Sequence, residues 1–315
     1  MKTATVALGG NSLIRPGDKG TAEEQFQRMG KTCEKLASMI TRGYELVLTH
    51  GNGPQVGNIL LRNELSSSKV PSLPLDVCGA ESQGQIGYMF QQTLRNELIK
   101  RDIDMIISSI ITQVVVDEDD PAFKDPTKFI GPSYTKEETK DMEKKKNWVI
   151  KKTAEDKYRR VVPSPEPKEI VESEIIHDLV FAEDKNYVVI GAGGGGVPVI
   201  KKNGMLKGVE GVIDKDKATS VLASEIDETF LVLLTNVEKV FLDYGKESEE
   251  PLDSVSIREA KRYLDQGHFP PGSMGPKVEA SIDFLKNGGE KVLITTPEKI
   301  LEALDGKTGT FIHHG

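Results

Sequence analysis

The chain has 315 residues, 37% of them hydrophobic and 29% charged, with a formal net charge of −8; this is the balance of a folded globular protein with one large core or two lobes sharing a sheet. The negative charge argues against a nucleic-acid surface, which needs clustered cations, but leaves room for a small anion held by a few lysines in a cleft. No run approaches the roughly 18 apolar residues of a membrane span, and Met1-Lys2-Thr3-Ala4-Thr5-Val6 enters a strand-like segment with no apolar leader, so a cytoplasmic protein without membrane partners is expected.

Thr3 to Leu8 is apolar and β-branched and breaks at Gly9-Gly10, which predicts a buried strand ending in a glycine turn. Thr21 and Glu24 stand at capping-box spacing, Phe26, Met29, Cys33, Leu36 and Ile40 recur at helical intervals, and Gly43 occupies a C-cap position. A strand over Glu45 to Thr49 then runs into His50-Gly51-Asn52-Gly53-Pro54, with Pro54 suited to open another helix. A further helix is predicted over Ser82 to Arg101, where Ile86, Phe90, Leu94 and Leu98 fall every fourth residue. Strands are predicted at Met105 to Ile111, Thr112 to Val116, Tyr187 to Ile190, Phe230 to Leu234 and Lys291 to Thr295. Asn203-Gly204 between apolar pairs marks a hairpin. The alternation predicts an α/β sandwich around a mostly parallel sheet. From Asp117 to Pro167 the chain turns polar and rich in lysine, glutamate and proline, which sets this stretch apart as an inserted flap.

Four glycine-rich stretches bear on chemistry: Gly9-Gly10-Asn11, Gly51-Asn52-Gly53, Gly191 to Gly196, and Gly272-Ser273-Met274-Gly275-Pro276-Lys277. Three follow predicted strands, where glycine allows close backbone approach and N–H groups can cradle phosphate oxygens. Lys128, Lys215 and Lys277 each lie beside a turn-forming residue or a carboxylate. Phosphoryl transfer needs charge neutralisation more than covalent help, so lysines converging on backbone donors and an orienting carboxylate form a fitting constellation. Gly30-Lys31-Thr32 and Gly306-Lys307-Thr308 lack the first glycine of a P-loop, and the scattered histidines give no triad or metal spacing. His313 and His314 read as a solvated tail. Cys33 and Cys78 are too few for a disulfide framework and read as structural thiols.

The same residues carry a resemblance. Val6-Ala7-Leu8-Gly9-Gly10-Asn11, His50-Gly51-Asn52-Gly53-Pro54-Gln55-Val56-Gly57, Ser82-Gln83-Gly84-Gln85-Ile86-Gly87-Tyr88, Val162-Pro163-Ser164-Pro165, Val212-Ile213-Asp214-Lys215-Asp216 and Gly272-Ser273-Met274-Gly275-Pro276-Lys277-Val278 look like carbamate kinase motifs, and the match runs to Gly306-Lys307-Thr308-Gly309-Thr310.

The resemblance implies one amino-acid-kinase domain over 1–315, a three-layer αβα sandwich on a mostly parallel sheet of about eight strands. It also implies an N-terminal carbamate lobe at about 1–190, a C-terminal nucleotide lobe at about 191–315, a protruding subdomain at 118–163, and a homodimer as the expected assembly. It implies phosphoryl transfer between ATP/ADP and carbamate/carbamoyl phosphate, directed towards ATP in arginine catabolism. Carried over, Gly10, Asn11, Gly51, Asn52 and Gly53 would surround carbamate and the moving phosphoryl group, and Lys128 would reach in from the flap. Lys215 and Lys277 would neutralise the phosphates, with Asp216 orienting the lysines without acting as a base. Asp214, Thr235, Asn236, Val237, Tyr244, Met274 and Gly275 would hold the nucleotide. Mg²⁺ would ride on the nucleotide and water, with no dedicated protein ligand. The chain departs from the family pattern at Phe129-Ile130 and at Glu155-Asp156-Lys157-Tyr158, both in the flap, and by a serine at Ser12. The other readings of such a chain are a kinase of another small acid with the same fold, and a nucleotide-binding regulator without catalysis.

Overall fold

The computed structural model of the chain describes residues 2–9, 18–139, 148–154, 156–182, 186–270 and 272–315. Gly10, Asn11, Ser12 and Glu155 therefore lie outside the described residues. Eight strands form the central sheet: β1 (Lys2–Leu8), β2 (Tyr44–His50), β3 (Ile106–Ser109), β4 (Tyr187–Ile190), β5 (Phe230–Leu234), β6 (Ser254–Ser256), β7 (Lys291–Thr295) and β8 (Thr310–His313). Their order across the sheet is β6-β8-β7-β5-β1-β2-β4-β3, and every pairing is parallel except β7 with β8.

A parallel sheet covered on both faces demands apolar residues at successive positions. All five residues of β5 and the last five of β1 are buried. Alternate side chains then serve opposite layers. Ala4, Val6 and Leu8 pack with Leu46 and Leu48 under helices α1 (Ala22–Thr41) and α3 (Leu75–Ile99). On the other face Ala7, Leu231 and Leu233 meet Val278, Ile282 and Leu285 of helix α5 (Met274–Lys286), while Val47 and Val189 meet Ala218 and Leu222 of α4 (Lys215–Glu225). Both cysteines are buried free thiols; burial pushes the Cys33 thiol up, and that of Cys78 up to about 11.

The Thr21/Glu24 capping box opens α1 as expected, and Asn203-Gly204, both at positive φ, turn the hairpin of Val197–Lys202 with Met205–Gly208. Pro54 sits in the first turn of α2 (Gly53–Ser66). Two expectations are corrected. Helix α3 begins at Leu75 rather than Ser82, because Pro74 supplies the extended residue before the first turn, and Leu75, Cys78 and Ser82 are buried on a face that carries no apolar stripe. His313 belongs to the sheet rather than to a solvated tail, since antiparallel pairing of β8 with β7 sets it opposite Lys291; His314 is exposed, as expected, with its Nε2 2.8 Å from the Gly289 carbonyl oxygen. Ile312 anchors that strand in the core, which terminal position alone does not reveal.

The polar middle of the chain builds a three-stranded antiparallel sheet from Lys128–Tyr134, Val149–Ala154 and Lys157–Val162. Ile130 and Val162 of this sheet pack with Val56 and Ile59 of α2 and Leu75 and Cys78 of α3. Its arginines are engaged at home: Arg159 Nε donates to the Gly131 carbonyl oxygen at 3.1 Å, and Arg160 lies over the Trp148 ring and pairs with Glu210 at 3.1 Å.

Candidate active site

The parallel strands β1, β2, β4 and β5 end on one rim of the sheet, running into Gly9, Gly51, Gly191 and Thr235. From β1 the sheet extends one way through β2 and the other way through β5, so loops leave the rim in opposite directions and open a crevice there. A cavity of about 570 Å³ occupies this place, bounded by Gly9, the Gly51-Asn52-Gly53-Pro54 turn, Lys128 of the flap sheet, Asp214-Lys215-Asp216 at the start of α4, and Met274 and Lys277 of α5. Thr235, Asn236, Val237 and Tyr244 line its other end. Gly275 stays out of the lining: its N–H donates to the Pro270 carbonyl oxygen at 3.1 Å, and an added Cβ would stand 3.3 Å from that oxygen. Phe129 and Ile130, where the chain departs from the family pattern, also line the cavity.

Asp216 organises the charged wall. One of its oxygens takes Lys215 Nζ at 2.6 Å and the other takes Lys277 Nζ at 2.6 Å, all three groups being buried or nearly so. Burial would raise the Asp216 carboxyl, but the two ammonium groups outweigh it and hold it far below the usual carboxylate range. Lys215 is lowered by burial and by Lys277, against the opposing pull of Asp216. Asp214 caps α4 by accepting the Asp216 N–H at 3.0 Å, and its second oxygen takes Lys128 Nζ at 2.9 Å, which ties the flap to the head of α4. Three ammonium groups against two carboxylates leave one net positive charge facing the cavity. Behind α4, Thr219 Oγ1 donates to the Lys215 carbonyl oxygen at 2.6 Å and meets Thr49 Oγ1 of β2 at 2.6 Å, so the lysine-bearing turn is tied to the strand that carries Gly51.

The loop after β2 contributes main chain to the lining. The Gly51 N–H donates to the Leu8 carbonyl oxygen at 3.0 Å and Asn52 Nδ2 donates to Ser82 Oγ at 2.8 Å, so both of these donors brace the loop instead of facing the cavity. The donors left at this end of α2 are the main-chain N–H groups of its first turn, which have no intrahelical partners. The Gly193–Gly196 arc, part of one of the four glycine-rich stretches singled out in the sequence, packs against this loop: Gly194 at φ +67° approaches Asn52 so closely that a Cβ would lie 2.2 Å from its Nδ2, and at Gly195, φ +90°, a Cβ would lie 2.5 Å from the Ile213 carbonyl oxygen. Val212, Ile213 and Gly194 also line the cavity. In the sequence they stood inside the Val212-Ile213-Asp214-Lys215-Asp216 motif and the Gly191 to Gly196 stretch but were assigned no site role of their own.

The profile of the amino acid kinase family matches residues 2–296. The chain belongs to the amino acid kinase family. Among its relatives are proteins named carbamate kinase from Pyrococcus horikoshii, 52% identical with 97% of each chain covered, and from Pyrococcus furiosus, 49% identical with 98% of each covered. A solved structure of carbamate kinase from Giardia lamblia bound to AMP-PNP superposes with a TM-score of 0.93 at 39% identity, covering 100% of this chain and 99% of that one. The family's three-layer fold is the one described above, and the chain is a kinase of the carbamate kinase group. No helix among the described residues is long and apolar enough to cross a membrane.

Proposed function

We propose that this kinase transfers a phosphoryl group reversibly between ATP and carbamate, giving ADP and carbamoyl phosphate, and works towards ATP synthesis in arginine catabolism as a cytoplasmic homodimer. The observation that carries the reading is that the Lys215-Asp216-Lys277 clamp and the Gly51-Asn52-Gly53 turn line one cavity. Among the described lining residues the cations are Lys128, Lys215 and Lys277, with no arginine fork to grip a larger carboxylate acceptor. This favours a compact acceptor over a longer amino acid.

Carbamoyl phosphate would lie with its phosphoryl group between the lysines and the first turn of α2, and ADP with its β-phosphate entering from the Met274 side and its base towards Tyr244. Lys215 and Lys277 neutralise charge that spreads over the equatorial oxygens during transfer, and the backbone donors fix the acceptor end. Asp216 takes no proton, since both of its oxygens are engaged by ammonium groups and its carboxyl is held ionised. Lys128 carries positive charge from the flap to the same place. When bound with the nucleotide, Mg²⁺ would supply charge neutralisation between the phosphates. Asp214 and Asp216 are both committed to lysines, which suits an ion held by nucleotide oxygens and water.

The test is ATP formation from ADP and carbamoyl phosphate with Mg²⁺, with acetyl phosphate as the competing donor. Robust turnover with carbamoyl phosphate and little with acetyl phosphate is expected. Tight ADP binding with no turnover would instead identify a regulator, and a preference for another acyl phosphate would identify a kinase of another acid.

A further inference from the structure

His50 ends β2 directly behind the turn that lines the cavity, yet it does not line the cavity itself. Its ring is buried, 1% exposed, stacked on Phe90 of α3 at 27° between planes, and pressed against Gly193, where an added Cβ would stand 2.5 Å from Nε2. Nδ1 lies 3.1 Å from the Gly51 carbonyl oxygen. A carbonyl oxygen only accepts, so Nδ1 carries the hydrogen and Nε2 is a bare acceptor, which has no partner among the described residues. Burial lowers this imidazole to about 4, so it is neutral at working pH.

Burying a ring nitrogen without a partner is unfavourable, and a phenylalanine or leucine would fill the same space without that cost. Packing alone therefore does not account for a histidine here; the Nδ1–H bond does. Within a planar trans peptide the carbonyl and the following N–H point in opposite directions. Holding the Gly51 carbonyl towards His50 therefore turns the Asn52 N–H away from the His50 ring, and Asn52, unlike His50, lines the cavity. That donor counts, because the Gly51 N–H is engaged by Leu8 and Pro54 has none to offer, which leaves Asn52 with Gly53 and Gln55 as the main-chain donors at this end of α2.

We propose that His50 is a positioning residue for the transferred group: through its Nδ1–H it sets the Gly51–Asn52 peptide so that the Asn52 N–H faces the anion in the cavity. The Gly193 contact holds the ring in place, which gives the glycine arc a part in the same device. The proposal rests on the carbamoyl phosphate reading for its substrate but not for its geometry.

The experiment compares wild type with His50→Asn, His50→Gln and His50→Leu in steady-state ATP formation from ADP and carbamoyl phosphate, alongside ADP affinity and thermal unfolding. Asparagine carries its N–H where Nδ1 stands and glutamine where Nε2 stands. His50→Asn is expected to stay within about 10-fold of wild type in kcat/KM for carbamoyl phosphate, while His50→Gln and His50→Leu lose ~10²-fold or more with ADP affinity unchanged. Equal activity of His50→Leu and His50→Asn, or a parallel loss of ADP affinity in all three, would overturn the positioning role. Nitrogen NMR of histidine-labelled wild type needs no variant: a hydrogen on Nδ1 of His50 is expected, and one on Nε2 would sink the idea even if the variants fail to fold. Inactive wild type would count against the substrate reading, and the NMR tautomer would still decide the geometry.

Discussion

The two walls of the cavity attract negative charge by different physics. The α4–α5 wall uses formal charge, with two lysines fixed on one buried carboxylate and a third reaching in from the flap. The α2 wall uses main-chain dipoles held in shape by Leu8, Ser82, His50 and the glycine arc. Charge acts over several ångströms and survives small displacements, whereas a backbone donor acts only at hydrogen-bond distance. The first wall therefore depends on which side chains are present, and the second on how well the loop is braced.

The largest effect should come from the charged wall. Lys215→Ala is expected to cut kcat ~10²-fold to 10³-fold with the fold retained, read by initial rates and circular dichroism. Asp216→Asn removes the shared counter-charge and leaves two mostly buried ammonium groups facing each other, so unfolding in urea should show a loss of about 3–5 kcal/mol. If stability is unchanged, the clamp does not hold the lysines as described.

The braced wall offers a pH test. His50 is lowered from 6.5 to about 4 by burial, so between those values the unfolded chain binds a proton that the folded chain does not. Its contribution to stability is complete above about pH 6.5 and is lost as pH falls towards 4, about 3 kcal/mol in all. Urea unfolding between pH 4 and 7 should show His50→Asn losing less stability on acidification than wild type by that amount. Gly194→Ala forces a side chain into a left-handed conformation against Asn52, and about 2 kcal/mol of stability should go with much of the activity, whereas Gly53→Ala, with nothing within 4 Å of the new carbon, should leave stability nearly unchanged. Smallest is the flap tether: the half-exposed Lys128–Asp214 pair is worth about 1 kcal/mol or less, so Lys128→Ala should barely move the melting temperature and show itself in turnover and in salt sensitivity. A large drop in melting temperature would mean that the flap holds the fold together rather than reaching into the site.

Much of the frame was legible because it rests on local rules. The capping box at Thr21, the Asn203-Gly204 turn and the apolar runs of β1, β5 and β7 each name their structure within a few residues. Lys128, Lys215 and Lys277 stood out by their turn-forming and carboxylate neighbours, Asp216 being one of the latter, and the fold brings them to one cavity. The turns of α3 before Ser82 were not legible, since Leu75 and Cys78 are buried there by tertiary packing against Val56 and Ile130 and no apolar period runs through them. Gly275 looked like a ligand-facing glycine, but its smallness serves a close approach to Pro270.

By itself the sequence determined the α/β class, the kinds of group available for binding an anion, and the polar insertion that became the flap sheet, because propensity, periodicity and turn chemistry act over a handful of residues. Only the tertiary structure decided the strand order that opens the crevice between β1 and β5, the pairing of both lysines on Asp216, and the facing of N–H groups by His50 and the glycine arc. Apart from the Lys215–Asp216 and His50–Gly51 contacts between neighbours, those outcomes depend on contacts between residues tens to hundreds of positions apart, which packing of the whole sheet brings together and no local pattern encodes.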